Sequence, residues 1–250
     1  MLDRAKFVRP IAHRGLHDRA RGIIENTAPA FAAALAKGYG IECDLRPIAG
    51  GFPVVFHDDT MERLLDAEGP IADLLPSDLA WVHYKGQPDN RILSFAGLLE
   101  MVAGRVPLLV ELKSEWEPPN LSFVKQVTDL AGVYKGPIAL MSFDTALMAA
   151  VRQAAPGIAR GIVSGSYAGE GWWDDKLDKT RRYRLANLMD SEAVEPDFYA
   201  YEVAALPTRM TSFAREVQAL PLFTWTVRTQ KDREHAAAHA DAMIFEGFEP

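Results

Sequence analysis

Two carboxylates stand two residues apart, Glu42 and Asp44, in the stretch GIECDLRPIAGGFPVVFHDD at residues 40–59. In an extended strand successive side chains point to opposite faces. Ile41, Cys43 and Leu45 therefore share one face, and Glu42, Asp44 and Arg46 share the other. VPLLVELKSE repeats the pattern, with Leu109, Glu111 and Lys113 opposed to Leu108, Val110 and Leu112. IAHRG ends an apolar run with His13 and Arg14, PVVFHDD delivers His57 and Asp58, and LFTWTVRT carries Trp225 and Arg228 near its exit. Three carboxylates converging without a cation would repel one another and raise their pKa values. Oxygen-only donors select a hard ion, Mg²⁺ or Ca²⁺, over Zn²⁺. Such an ion beside two histidines suits phosphoester hydrolysis. The ion and Arg14 would neutralise phosphate charge, one histidine would accept a proton, and the other would donate one to the leaving alkoxide. Lys113 would add a further point charge.

Elements must bring these residues to one place. Short apolar runs alternate with helical stretches, the signature of βα units around a parallel sheet. Candidate strands lie near 7–13, 40–46, 53–57, 106–113, 137–142, 158–163, 197–202, 221–227 and 242–246. The gap between the second and third is too short for a parallel crossover, so those two form an antiparallel hairpin turning at Gly50-Gly51. The remaining eight are the number that closes a TIM-type (β/α)8 barrel, whose active sites sit at the C-terminal strand ends. A turn centred on residues 49 and 50 would set His57 opposite Glu42, and one centred on 50 and 51 would set it opposite Asp44. NTAPAFAAALAKG reads as a helix capped by Asn26 or Thr27 and stopped by Gly38, and Asp144 caps the helix of SFDTALMAAVRQAAPG. TQKDREHAAAHA reads as an amphipathic last helix. Two connections are long, residues 58–105 and 164–196, and long connections are often lids or small insertions. The second is expected over the barrel mouth.

Composition narrows the classes. A chain of 250 residues with 48% hydrophobic residues suits a single barrel domain over 1–250. Its net charge of −7 argues against a nucleic-acid groove. The one cysteine excludes an internal disulfide. The start has no signal-peptide apolar run, and no window has the roughly 18 apolar residues of a membrane helix. A cytoplasmic protein without stable membrane insertion is expected. P-loop, Rossmann and Gly-x-Ser-x-Gly patterns are missing.

IAHRG, ENT, GIECDLR, VVFHDD, LLVELK, MSF and FTWTV, in that order from about residue 9 to 246, resemble the glycerophosphodiester phosphodiesterase family. The resemblance implies a TIM-type barrel that uses a divalent metal to hydrolyse glycerophosphodiesters to glycerol 3-phosphate and an alcohol. It implies His13 and His57 as the acid–base pair and Glu42, Asp44 and Glu111 as metal ligands. It also implies Arg14 as a phosphate contact, with Lys113 and Trp225 in the pocket. Three departures stand out: Ile24 replaces a proline before ENT, IAGG replaces a T-x-D-G hairpin, and Glu246 replaces the aspartate that commonly ends the last strand. A phospholipase D-like activity on lysophospholipids and a non-catalytic phosphodiester- or metal-binding barrel are the competing readings.

For several residues a plain structural role competes with a functional one. Glu25 could be a first-turn helix charge or a site residue. His17, His83, His235 and His239 have no supporting context and read as surface or structural. Trp172 and Trp173 could cover the substrate, although loop aromatics more often pack under their own loop. Of Tyr201 and Glu202 only one can face a pocket. Cys43 faces the helices and reads as an inert core thiol.

Overall fold

The computed structural model describes residues 2–116 and 118–250. Eleven strands appear among the described residues: β1 (Ile11–Ala12), β2 (Gly40–Ile48), β3 (Phe52–Val55), β4 (His83–Tyr84), β5 (Gln87–Arg91), β6 (Leu108–Leu112), β7 (Ile138–Ser142), β8 (Ala159–Ser164), β9 (Phe198–Glu202), β10 (Leu222–Val227) and β11 (Ala242–Phe245). Their order is β1-β11-β10-β9-β8-β7-β6-β2, and β1 also pairs with β2. Each of these pairings is parallel, so eight strands close into a barrel. β3 lies outside the ring, antiparallel to β2. This is the expected TIM-type barrel with its hairpin.

Alternation along the strands sorts two apolar layers. Ile11, Leu109, Ala139, Met141, Val163, Phe198, Ala200, Phe223 and Ile244 fill the barrel interior, and Leu2 and Phe7 from the N-terminal segment join them. Ile41, Cys43, Leu45, Val110 and Leu112 face outward into the shell shared with the helices. Each fully buried Val, Leu, Ile, Phe or Met side chain here contributes about 1.5–3 kcal/mol relative to exposure. The helix Ala28–Lys37 begins at Thr27, carries a proline in its first turn, and ends on Gly38 in the left-handed conformation. Asp144 caps Thr145–Ala154 by accepting from the Ala146 N–H. The last helix, Gln230–His239, is present and has a Thr229–Asp232 capping box, but only Ala236 is fully buried. It is a mostly polar helix, not the amphipathic one expected, because alanines supply nearly all of its apolar content.

The hairpin register differs from both expectations. Leu45 pairs with Val55, Arg46 with Val54, Pro47 with Pro53 and Ile48 with Phe52, which centres the turn on Gly50 alone. The loop has three residues, Ala49–Gly51, with Gly50 at φ 72° and Gly51 at φ 77°. A side chain at Gly51 would also come within 2.7 Å of the Phe123 backbone nitrogen. Ser122 Oγ and Gln126 Nε2 both donate to the Gly50 carbonyl, which fixes the turn against the helix Leu121–Val133. This odd register would put His57 opposite Cys43, on the wrong face. The ladder ends first, at the bond from Phe56 N–H to the Asp44 carbonyl (3.0 Å). Arg46 Nε then takes the His57 carbonyl at 2.6 Å, and the chain leaves the strand.

The connection from residue 58 to 105 is an insertion with its own small core. Met61, Leu65, Ile71, Leu74, Tyr84 and Ile92 pack on Ile48, Val54 and Phe56 of the hairpin. The β4–β5 hairpin inside it has no apolar alternation in QPDNR, so no periodicity marks it in the sequence. Among the described residues no helix is long and apolar enough to cross a membrane.

Candidate active site

Two neighbouring strands build the carboxylate cluster. Glu42 pairs with Leu109 and Asp44 with Glu111, so the alternation that sends Cys43 and Val110 outward turns three acids inward. One carboxylate oxygen from each of Glu42, Asp44 and Glu111 lies within 4.8 Å of the others, and all three residues are buried. Lys113 reaches Asp44 Oδ1 at 2.9 Å and also donates to Glu111 Oε1. Arg14 closes the other side. Its backbone N–H donates to Glu42 Oε2 at 2.9 Å, and its Nε lies 3.2 Å from Asp44 Oδ2.

Burial pushes every charge here toward neutrality, and the fixed cations decide which carboxylate resists. Asp44 is opposed by its burial, yet Lys113 and Arg14 hold it well below the usual carboxylate range. Burial, then the charges of Asp44 and Glu111, push Glu42 well above that range. Burial works against the Lys113 ammonium, but Asp44 and Glu111 outweigh it and its pKa is raised. An acid driven toward its neutral form by two carboxylates, within a set of oxygen donors only, fits a hard divalent cation. Glu42, Asp44 and Glu111 are the residues that would hold it.

The turn after β1 is shaped for this cluster. Arg14 and Asn26 both have left-handed backbones, φ 53° and 57°, and Asn26 N–H donates to the Arg14 carbonyl at 2.9 Å. Non-glycine residues held this way cost roughly 1–3 kcal/mol and concentrate at functional sites. Asn26 Nδ2 donates to Asp44 Oδ2 at 2.8 Å, and its Oδ1 accepts from the Asp44 N–H at 3.3 Å. The Asn26 side chain is thus committed to a site carboxylate, which is why the helix cap falls to Thr27. Its place in ENT was the only signal in the sequence for this contact.

Both expected histidines are steadied by an acid. His13 Nδ1 lies 2.5 Å from Glu246 Oε2, and its Nε2 is 3.9 Å from Glu42 Oε2. His57 Nδ1 lies 2.8 Å from Asp58 Oδ1. Burial lowers the His13 pKa even against the bond from Glu246. Burial opposes ionisation of Glu246, but His13, His17 and Arg228 hold it far below the carboxylate range. A chain of ion pairs backs His57: Arg63 Nε donates to Asp58 Oδ2 at 2.5 Å and Arg63 Nη2 to Glu25 Oε1 at 2.8 Å. Glu25 in turn accepts from Arg14 Nη1 at 2.6 Å. Glu25 therefore belongs to the surroundings of the site and is not a bare helix charge. Of the remaining histidines, His17 stands beside the site, with its Nε2 3.4 Å from Glu246 Oε2. The turn at Gly15 brings it there, where a side chain would come within 2.9 Å of Ala30. His83 pairs with Asp66, and His235 meets the Leu206 carbonyl, away from the cluster.

His13, Arg14, Glu42, His57, Glu111 and Lys113 line one cavity of about 550 Å³ at the C-terminal strand ends. Trp225, Phe143, Trp172 and Trp116 form its apolar side as a chain of ring contacts. Centroid distances are 5.3 Å for Phe143–Trp225, 5.4 Å for Phe143–Trp172 and 5.6 Å for Trp116–Trp172. Trp172 and Lys176 come from the 164–196 connection, which therefore reaches over the mouth, and Lys176 holds Asp59 at 2.9 Å. Trp173 instead packs beside Tyr167 under its own loop. Neither Tyr201 nor Glu202 lines the cavity. The Tyr201 hydroxyl donates to the Ala186 carbonyl, and Glu202 accepts from the Ser166 N–H and hydroxyl. Cys43 is buried and its burial pushes the thiol pKa well up, as an inert core thiol requires.

The chain matches the glycerophosphoryl diester phosphodiesterase family over residues 13–247. A glycerophosphodiester phosphodiesterase of Caldanaerobacter subterraneus subsp. tengcongensis is 23% identical over 245 residues, covering 94% of this chain and 92% of that protein. Glycerophosphodiester phosphodiesterase 1 of Bos taurus is 44% identical over 69 residues, 27% of this chain, so the match spans only 20% of the bovine protein's length. An Oleispira antarctica phosphodiesterase, solved in complex with the product sn-glycerol-3-phosphate, superposes with a TM-score of 0.72 over 95% of this chain and 92% of that one. At 19% identity that likeness speaks for the fold. With the barrel closed and the family's pattern matched over nearly all of its length, this chain belongs to the glycerophosphoryl diester phosphodiesterase family.

Proposed function

We propose that this protein hydrolyses glycerophosphodiesters to glycerol 3-phosphate and an alcohol, with a divalent metal, Mg²⁺ or Ca²⁺, and with His13 and His57 as acid and base. One observation carries the reading: a cluster of three buried carboxylates, two of them lining the cavity, meets two acid-tethered histidines, Arg14 and Lys113 there. A hard cation held by Glu42, Asp44 and Glu111 would supply Lewis-acid stabilisation of the phosphate oxygens. Arg14 and Lys113 bind and orient the phosphate by charge. One histidine takes the proton of the nucleophile, whether water or the substrate's own 2-hydroxyl, and the other protonates the leaving alkoxide. Glu246 and Asp58 hold the two rings by Nδ1 and leave each Nε2 for these transfers. Trp225 packs the apolar part of the substrate. We take residues 1–250 as one catalytic unit acting on a small molecule in the cytoplasm, and the net charge of −7 disfavours nucleic acid as a substrate.

The aromatic chain from Trp225 to Trp116 favours a second reading, in which the glyceryl side of the diester carries an acyl chain, as in a lysophospholipid, and the head-group alcohol leaves. The experiment is direct. Chelator-stripped protein is incubated with glycerophosphocholine, glycerophosphoethanolamine or a lysophosphatidylcholine, with Mg²⁺ or Ca²⁺ restored, and released glycerol 3-phosphate and choline are measured. Glycerol 3-phosphate from the first two supports the main reading. Choline released only from the lysolipid would support the second, and silence on all three would leave the non-catalytic barrel.

A further inference from the structure

We propose that His13, His17 and Glu246 form a second cation site, which takes a borderline transition metal such as Zn²⁺ and shuts the site down by occupying His13. One ligand atom from each of the three lies within 4.8 Å of the others. Glu246 Oε2 is the shared vertex, 2.5 Å from His13 Nδ1 and 3.4 Å from His17 Nε2. Its other oxygen is taken by Arg228 Nε at 2.6 Å, which turns Oε2 toward the two rings.

His17 makes the case specific. Its Nε2 is shielded from solvent and lies 3.4 Å from Glu246 Oε2, but makes no well-aligned hydrogen bond among the described residues. A buried ring nitrogen left this way loses about 1–3 kcal/mol unless something satisfies it. A metal ion does so with the lone pair that an imidazole offers. His17 does not line the cavity, so the reaction makes no demand on its position. The left-handed turn at Gly15, φ 78°, folds the chain back so that two histidines four positions apart meet one carboxylate.

The two sites would sort metals by chemistry. Glu42, Asp44 and Glu111 offer oxygen only and suit Mg²⁺ or Ca²⁺, whereas two imidazoles and one carboxylate suit Zn²⁺ and its neighbours. The coupling follows from the two nitrogens of His13. A metal on Nδ1 takes that lone pair and leaves the ring proton on Nε2, the nitrogen facing Glu42. His13 can then no longer accept a proton from the cavity.

The inhibition depends on the proposed hydrolysis, whereas binding does not, so the test has two arms. With saturating Mg²⁺ present, calorimetry should show one Zn²⁺ per chain, and Co²⁺ in its place should give visible absorption from a low-coordinate nitrogen-bearing site. His17→Gln should weaken binding by at least about tenfold, and His17→Cys, which replaces imidazole with a thiolate, should retain it. In the activity arm Zn²⁺ should inhibit the wild type and the cysteine variant, while His17→Gln keeps its basal turnover and resists. Equal Zn²⁺ affinity in wild type and His17→Gln would overturn the site, as would release of bound Zn²⁺ by excess Mg²⁺, which would place it on the three carboxylates. Binding without inhibition would overturn the shutdown. Zn²⁺ binding by a protein inactive on every phosphodiester would leave the site standing and remove the proposed hydrolysis.

Discussion

His13 Nδ1 and Glu246 Oε2 lie 2.5 Å apart, with Glu246 placed just after β11, the last barrel strand, and His13 just after the first. The closing seam of the barrel, Ala12 paired with Phe245, brings them together. A glutamate here is one methylene longer than the aspartate expected from the family pattern, and it still reaches the ring. Glu246→Gln keeps the shape and loses the charge that sets the imidazole's orientation and tautomer. Turnover should fall on the order of 10²-fold with little change in KM, measured by glycerol 3-phosphate release. An unchanged kcat would make Glu246 a bystander.

The acid–base pair makes a sharper demand. His13→Ala and His57→Ala should each lower kcat on the order of 10²-fold or more. The double variant should lose much less than the product of the two, because groups acting as a unit are non-additive. Steady-state kinetics on the four proteins decides this. Wild-type rates in either single variant would take that histidine out of the mechanism.

Glu42→Gln, Asp44→Asn and Glu111→Gln should each abolish metal-dependent turnover while the circular dichroism spectrum stays near wild type. Treatment with a chelator should silence the wild type, and Mg²⁺ or Ca²⁺ should restore it. Calorimetric metal binding should be lost in the same variants. Full activity after exhaustive chelation would contradict the metal role outright.

Glu25 links the site to acid stability. Burial works to raise its pKa, but Arg63 and Arg14 pull it from 4.5 down to about 2. A depressed folded pKa means stability that is fully present above the unfolded value and lost as pH falls toward the folded one. The wild type should therefore lose stability between about pH 4.5 and 2 through this group. Glu25→Gln should be less stable at neutral pH and show a shallower decline across that window. Denaturant melts at several pH values measure both, and parallel declines in the two proteins would refute the linkage.

The 164–196 connection brings Trp172 into the aromatic wall at 45% exposure. Trp172→Ala should raise KM for a lysophospholipid several-fold and leave that for glycerophosphoethanolamine nearly unchanged, if the wall serves an acyl chain. Equal effects on both substrates would mean that the tryptophan only supports its loop.

The barrel and most of its cavity were legible before any tertiary contact, because strand alternation is a local rule. A period of two is enough to assign Glu42, Asp44, Glu111 and Lys113 to the inside and Cys43 to the outside. The nearly unbroken βα order, with one gap too short for a crossover, is enough to predict eight barrel strands and a returning hairpin. What lay beyond reach depended on loops and on closure. The hairpin register turned on one residue of loop length, and contacts from Ser122 and Gln126, far along the chain, hold that loop. Asn26 and Thr27 both fit a helix cap until the Asn26 side chain met Asp44, and His17 read as surface or structural until Gly15 folded it beside Glu246. Glu246 and His13 are separated by 233 positions, and only the pairing of the last strand with the first makes them neighbours. No local pattern encodes such a contact, since it is set by the circumference of a closed sheet and not by the period of any one strand.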